Sequence, residues 1–307
     1  MFKNLVKFVL FVAISLSLSG AIFAQNQQNE THRQYLARMA KEIQPYVVKI
    51  VIRAPVREGR QIPVTASGVA IFKEAGQEKD FSNRAVNYNS YYILTNPHVV
   101  SWAGKEGELK RYKEDRVKIY IAGKDRAMAE AEIVAWEWTC EIMLLKVKIY
   151  EDELSNYNIQ VAKIAATLPT SLSDSRFSNK ELEDVFVCGY PDGIPVVNLG
   201  YVSQYEFNFP FSYSEITKVA DVCIDRFNGR GESGGGVFNV NKELAGIVFA
   251  GRNNPESNLL FVSSIDAIVE RFLKQLPELN GLNLPSFKLE ESIQIKNKPI
   301  YINRPDN

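Results

Sequence analysis

The chain has 307 residues, 46% of them hydrophobic and 23% charged, with 36 basic and 36 acidic side chains. That is an ordinary globular composition, long enough for one or two packed cores. Zero formal net charge gives no field for a nucleic-acid partner or an anionic membrane surface.

Lys3 and Lys7 precede a 16-residue apolar run, "FVLFVAISLSLSGAIF" (8–23), and Ala24 offers a small residue for cleavage. The run is short of the roughly 20 residues a spanning helix needs. Residues 1–24 are therefore expected to be a signal peptide, with an uncleaved anchor as the alternative. The protein is expected to be exported, periplasmic or secreted, without stable membrane insertion after cleavage. Residues 25–43 form an extension whose segment "HRQYLARMAKEI" (32–43) reads as a short helix ended by Pro45.

From there the pattern turns to short β-rich runs. Strands are expected at 46–53, 62–72, 90–95, 117–122, 142–149, 184–190, 195–203, 216–224, 236–240, 244–250 and 258–262. So many short strands, broken by Gly, Pro and Asn, specify an all-β sandwich or barrel. In "SSIDAIVERFLKQL" (263–276) the apolar residues Ile265, Ile268, Val269, Phe272, Leu273 and Leu276 follow the helical period. Ser263 is its expected N-cap and Pro277 its stop. Residues 277–307 read as a tail. Three cysteines, Cys140, Cys188 and Cys223, match no metal-ligand spacing and are expected to be buried small hydrophobes, their disulfide pairing left open. No cofactor and no metal site is expected.

"GRGESGGGVFN" (229–239) sets a serine among glycines. A serine hydroxyl needs a base before it can attack. The two histidines of the chain are His32, in the leading helix, and His98, in "YYILTNPHVV", where an apolar strand breaks at a Thr-Asn-Pro turn. "GESGG" also fits the nucleophile elbow of α/β-hydrolases, but that fold needs its histidine after the serine, and none follows Ser233. Histidine first and serine last is the order of the β-barrel proteases. Glu141 supplies the acid between them, in "VAWEWTCEIMLLKVK". Its separations, 43 residues from His98 (141 minus 98) and 92 from Ser233 (233 minus 141), lie close to the roughly 45 and 93 of that class.

"TNPHVV", "CEIMLLKV" and "GESGGGVFN" resemble the three signature blocks of trypsin-like serine proteases, closest to the Deg/HtrA type. "ASGVAIF" (66–72), "VCGYPDG" (187–193) and "GYVSQ" (200–204) resemble three further pieces of that family in the same order. The likeness covers about residues 44–276. It implies two six-stranded antiparallel β-barrels of the chymotrypsin type, near 44–155 and 180–262, with the short leading helix before them and a closing helix at 263–276. It further implies His98 as general base, Ser233 as nucleophile and Glu141 as the orienting acid. Gly231 and Ser233 would form the oxyanion hole. Phe227 would floor the specificity pocket, and Val248, Phe249, Ala250 and Gly251 would pair with substrate. Family members usually carry a PDZ module after the protease; 31 residues follow Leu276 here, so none is expected.

Three departures bear on activity. The acid is Glu and not Asp, so one added methylene must be absorbed by the strand sitting back or the side chain folding; Glu137 is kept as a weaker candidate for the acid. Glu232 precedes the serine, with an expected role in the loop, and Gly236 replaces a proline, which should loosen that turn. The expected function is an exported serine endopeptidase acting on unfolded or exposed polypeptides through an acyl-enzyme. The alternative is a catalytically weak or inactive protein of this fold that binds peptides or proteins. Oligomeric state is not legible.

Overall fold

A computed structural model describes residues 31–55, 61–100, 102–103, 109–110, 118–138, 140–166, 184–225, 231–254 and 257–285. The apolar run 8–23, Phe227 and most of the 277–307 tail lie outside them. The chain divides into two units, Met1–Lys41 and Glu42–Asn307. The first contributes most of helix α1 (His32–Ile43). Thr31 Oγ1 accepts from Gln34 N, and Gln34 Oε1 accepts in return from Thr31 N (2.9 Å), a reciprocal capping box that starts the helix where its period begins.

In the second unit, β1 (Val47–Pro55), β2 (Gln61–Lys79), β3 (Ala85–Thr95), β6 (Lys118–Ala122), β7 (Met128–Glu137) and β8 (Ile142–Tyr150) close into one barrel. A two-stranded ribbon, β4 (Trp102–Ala103) with β5 (Leu109–Lys110), sits between β3 and β6 in the chain. The other barrel closes from β9 (Asp184–Gly189), β10 (Val196–Pro210), β11 (Thr217–Asp225), β12 (Gly236–Phe238), β13 (Leu244–Asn254) and β14 (Ser257–Ser264). All the barrel pairings are antiparallel. The expected pair of six-stranded barrels is what the chain forms.

Strand periodicity explains how the barrels meet. Along β1, Val48, Ile50 and Ile52 turn into the first core with Ala66, Ala70, Ile93, Leu145 and Val147. The alternate residues Val47, Lys49 and Val51 stand on the opposite face, paired with Val69, Ser67 and Thr65 of β2. That second face looks toward the other barrel, whose core gathers Val185, Val187, Val237, Val248, Leu260 and Val262. The connection between barrels is fastened to both. Gln160 N donates to Pro45 O and Ala162 N to Ala70 O, then Leu244 N donates to Lys163 O and Ala165 N to Leu244 O.

Several elements differ from the sequence expectation, among them β10, which runs to Pro210 beyond the expected 203, and the ribbon of β4 and β5, which was not expected. The β2–β3 hairpin runs well past the expected 62–72 and 90–95, because polar residues fill its outer rungs. There Glu74 accepts from Lys146 Nζ and Tyr92 Oη, both at 2.8 Å, and Glu78 accepts from Lys148 Nζ and Tyr150 Oη. β7 was not expected at all. Its "MAEAEIVAWE" is rich in Ala and Glu, which are weak strand formers, and pairing with β6 and β8 overrides that preference. The closing helix is shorter than 263–276: α2 spans Ile265–Arg271, and a separate turn covers Leu273–Gln275. Phe272 leaves helical geometry at φ −125°, and Pro277 disfavours the helical region for Leu276 before it. Ser264, not Ser263, stands at the N-cap position, with its hydroxyl bonded to Asp266. Ser263 is the last-but-one residue of β14, and its hydroxyl donates to the Cys140 carbonyl. Cys140 and Cys188 are buried thiols, and Cys223 lies in β11.

The hydrogen bond from Lys146, against an opposing effect of burial and with help from Tyr92, holds the Glu74 carboxyl below its ordinary range. A depressed carboxylate stabilises above its unfolded pKa, and that contribution is lost as pH falls through the folded value. Replacing Lys146 with Met should therefore lower the melting temperature at pH 7 by about 1–2 °C, as for a largely solvated pair. The difference from the parent protein should close below about pH 4. A melting series from pH 7 to pH 3 checks both.

Candidate active site

β3 ends at Thr95. Asn96 is extended (φ −106°, ψ 143°), as the residue before a proline prefers, and Pro97–Val99 make one tight turn that carries His98 off the barrel. β8 begins one residue after Glu141. Because Thr95 pairs with Met143, the end of one strand and the start of its neighbour bring histidine and glutamate to the same rim. His98 Nδ1 and Glu141 Oε2 are 3.0 Å apart, with the ring one-third exposed and the carboxylate nearly buried. A carboxylate only accepts, so Nδ1 carries the proton, and Nε2 is the nitrogen with a lone pair whenever the ring is neutral.

Glu141 sits in a turn, its N–H donating to Trp138 O (3.2 Å), with φ +51°. A non-glycine residue in that region costs about 1–2 kcal/mol. Three buried contacts hold the turn. Asn96 Nδ2 donates to Glu141 O (2.7 Å), Glu137 Oε2 accepts from Cys140 N (2.6 Å), and Ser263 Oγ reaches across from the second barrel to Cys140 O. Glu137 is thus a brace under the acid turn, 2% exposed, and not an alternative partner for His98.

Ser233 lies on the loop between β11 and β12. Two glycines there have positive φ, Gly231 at +94° and Gly234 at +83°. A Cβ on Gly234 would lie 2.0 Å from Ser67 O and 2.4 Å from Thr95 Oγ1, so no side chain fits. That contact also puts the serine loop against Thr95, three residues before His98. Ser67, in β2, ties the loop down: its N–H donates to Ser233 O (2.9 Å) and its Oγ donates to Gly231 O (2.8 Å). Ser67 Oγ also accepts from Tyr190 N (2.8 Å), and Ser67 O accepts from Thr95 Oγ1 (2.7 Å).

Among the described residues, neither the N–H of Gly231 nor that of Ser233 donates to a protein acceptor, while their neighbours Gly234 and Gly235 donate to Val248 O and Glu232 O. Two amides left open in this way are free to donate to a bound group. The imidazole bonds Glu141 and not the Ser233 hydroxyl; that contact often tightens only when substrate binds.

The remaining expected residues divide. Val248 is closed to a substrate strand, since its N–H and C=O are both held by the serine loop (Gly235 O and Gly234 N) and it is 1% exposed. Phe249 is the extra residue of a bulge and packs its ring on Phe261 at 6.3 Å. Ala250 and Gly251 are partly and fully open. Phe227 is outside the described residues. Gly236 does not loosen a turn: it sits in β12, paired with Cys188 and Ile247 on its two sides, and a Cβ there would meet the Phe238 ring at 2.5 Å. Glu232 is buried and its carbonyl closes the loop through Gly235 N, as expected of a loop residue. The sequence reading missed Ser67, Asn96 and Glu137 as supports. Ser67 stood within the quoted "ASGVAIF" block, but nothing about a lone serine in a strand reveals which backbone groups it will meet.

Comparison with known families decides the class: the trypsin-like peptidase domain matches residues 81–247, more than half of the chain. The chain belongs to the trypsin-like peptidase family. The matched span of this trypsin-like peptidase includes His98, Glu141 and Ser233. Among solved structures it resembles the Rv3671c protease from M. tuberculosis in its active form, with TM-score 0.50 and 18% identity, over 77% of this chain and 83% of that one. At that identity the likeness speaks for the fold. No curated protein matches.

Replacing Ser67 with Ala would leave Tyr190 N and Gly231 O without their partner in a buried place, at a cost of about 1–3 kcal/mol. The melting temperature should fall by several degrees. Threonine, which keeps the hydroxyl, should recover less than half of the loss, because its methyl enters a fully buried position. Thermal melts of the two variants measure this.

Proposed function

We propose that the protein is a serine endopeptidase working through Ser233, His98 and Glu141. The observation that carries this reading is the imidazole held at 3.0 Å by a nearly buried carboxylate, on the rim where Ser67 pins the Ser233 loop. Glu141 fixes the ring with its proton on Nδ1. Nε2 takes the hydroxyl proton as Ser233 Oγ attacks the peptide carbonyl carbon. The oxygen, now negative, is received by the N–H groups of Gly231 and Ser233. His98 returns the proton to the leaving amine, and the acyl-enzyme ester is then hydrolysed by water that the same ring deprotonates.

Substrate backbone enters as an added strand along Ala250 and Gly251, where β12 has ended and β13 continues past it. An extended guest strand needs a segment free of its own fold, so the substrates are unfolded or exposed polypeptides. The basic and apolar N-terminal run supports export.

A peptidyl diphenyl phosphonate should label Ser233, found by mass spectrometry of the digested protein, with no adduct on His98→Ala. Absence of label at every pH from 5 to 9 would leave the binding-protein alternative. Glu141→Gln should lower turnover by about two to four orders of magnitude while the fold persists, because the ring loses its oriented tautomer. A steady-state assay on a denatured protein substrate reads that loss.

A further inference from the structure

The serine loop has two flanks. Its Gly234–Gly235 end is fastened to Val248, beside the strand that would receive the acyl half of a substrate. Its Gly231 end rests against a different surface. A Cβ on Gly231 would lie 2.7 Å from Tyr190 O, 3.3 Å from Thr65 Oγ1 and 3.4 Å from Asp192 N. A peptide that enters along Ala250 and Gly251 and passes Ser233 must therefore leave across Thr65 and the Pro191–Gly193 turn.

That exit is lined with a distinct chemistry. Lys49 faces Ser67 across the β1–β2 ladder, so its side chain stands on the face that meets the second barrel. Its Nζ would be 2.7 Å from a Cβ on Gly193, and its Cε 3.2 Å, with Thr65 Cγ2 at 3.7 Å. Gly193 has φ +78°, and the absence of a side chain is what leaves room for the ammonium. Lys49 is half-buried. Among the described residues its Nζ has neither an ion-pair partner nor a hydrogen-bond acceptor, Asp192 on the adjoining turn included. Elsewhere on the same barrel Lys118, Lys146 and Lys148 each hold a glutamate. Ile194, next in the chain after Gly193, is 64% exposed.

A partly desolvated ammonium with no acceptor is a strong attractor for an anion. We propose that Lys49 is a specificity-determining residue that receives a carboxylate on the leaving segment of the substrate, within the first three residues after the scissile bond, with Ile194 supplying apolar contact next to it. The proposal rests on the endopeptidase reading for the direction of the substrate. The carboxylate has two sources, an Asp or Glu side chain, or the free C-terminus of a peptide cut close to its end.

Quenched-fluorescent peptide pools that share an apolar residue before the scissile bond and differ after it test this. One set carries Ala, Glu or Lys at each of the three leaving positions. A second set ends two residues after the bond, as free acid or as amide. Glu should raise kcat/KM over Ala about fivefold at one position, as for a solvent-screened to partly buried pair, and Lys should lower it. The ratio should fall toward one in Lys49→Met, invert in Lys49→Glu, and shrink as salt rises to 1 M. A matching effect in the second set alone assigns the free C-terminus as the source.

Affinities of Ser233→Ala for the same peptides, measured by fluorescence anisotropy, give a readout that does not need catalysis. Cleavage with no preference for acid at any position, in rate or in affinity, overturns the role of Lys49 and leaves the endopeptidase reading intact. No cleavage and no phosphonate label, with an acid preference in binding that Lys49→Met abolishes, overturns the endopeptidase reading and keeps the carboxylate subsite. Melting of Lys49→Met within about 2 °C of the parent protein excludes a folding defect.

Discussion

The Ser67 side chain and backbone join four groups that belong to different parts of the site. The hydroxyl links the Gly231 carbonyl to the Tyr190 amide, and the peptide groups on either side bind Ser233 and Thr95. The Gly231 end of the serine loop, Ser233 and the strand that leads to His98 thereby share one buried residue as their common reference. Catalysis of this type tolerates positional error of only about half an ångström. Two closed barrels, each with its own core, would drift relative to one another by more than that unless something fastened them at the reacting end. The fully buried serine does so from the first barrel to the second, and Ser263 does so in the opposite direction at the acid turn.

The glutamate meets the histidine from a strained turn. Its carboxylate meets Nδ1 at 3.0 Å, and the residue holds a left-handed backbone conformation just before β8. That strain is offset by contacts that would otherwise have little reason to be buried: an asparagine amide on the glutamate carbonyl and a second glutamate on the preceding amide. Glu137 and Asn96 form a support whose purpose is clear only once Glu141 is seen to need it.

Much of the architecture could be read from the residues. Period-two runs in Val, Ile and Tyr located eleven of the barrel strands, and the family resemblance carried by the histidine, acid and serine blocks implied the two-barrel arrangement. What stayed hidden shares a cause: it depends on pairing between distant segments. β7 reads as a helix-prone Ala/Glu stretch and becomes a strand only between β6 and β8. The outer half of the long hairpin is polar on both faces and is held by lysine, glutamate and tyrosine rungs that no local window displays. Val248 sat in the expected substrate strand by position, yet its backbone is consumed by the serine loop, a contact between residues 13 and 14 positions apart in the chain.

The strap between the barrels has a bearing on how this molecule comes apart. Backbone bonds from Gln160 and Ala162 anchor it to the first barrel, and those of Lys163 and Ala165 anchor it to the second. Architecturally the halves look autonomous, each with its own closed wall of strands. Mechanically they resemble two drums laced by one cord. Loosening either drum unthreads the lacing that the other relies on, so denaturation should proceed as a single concerted event with no half-melted survivor.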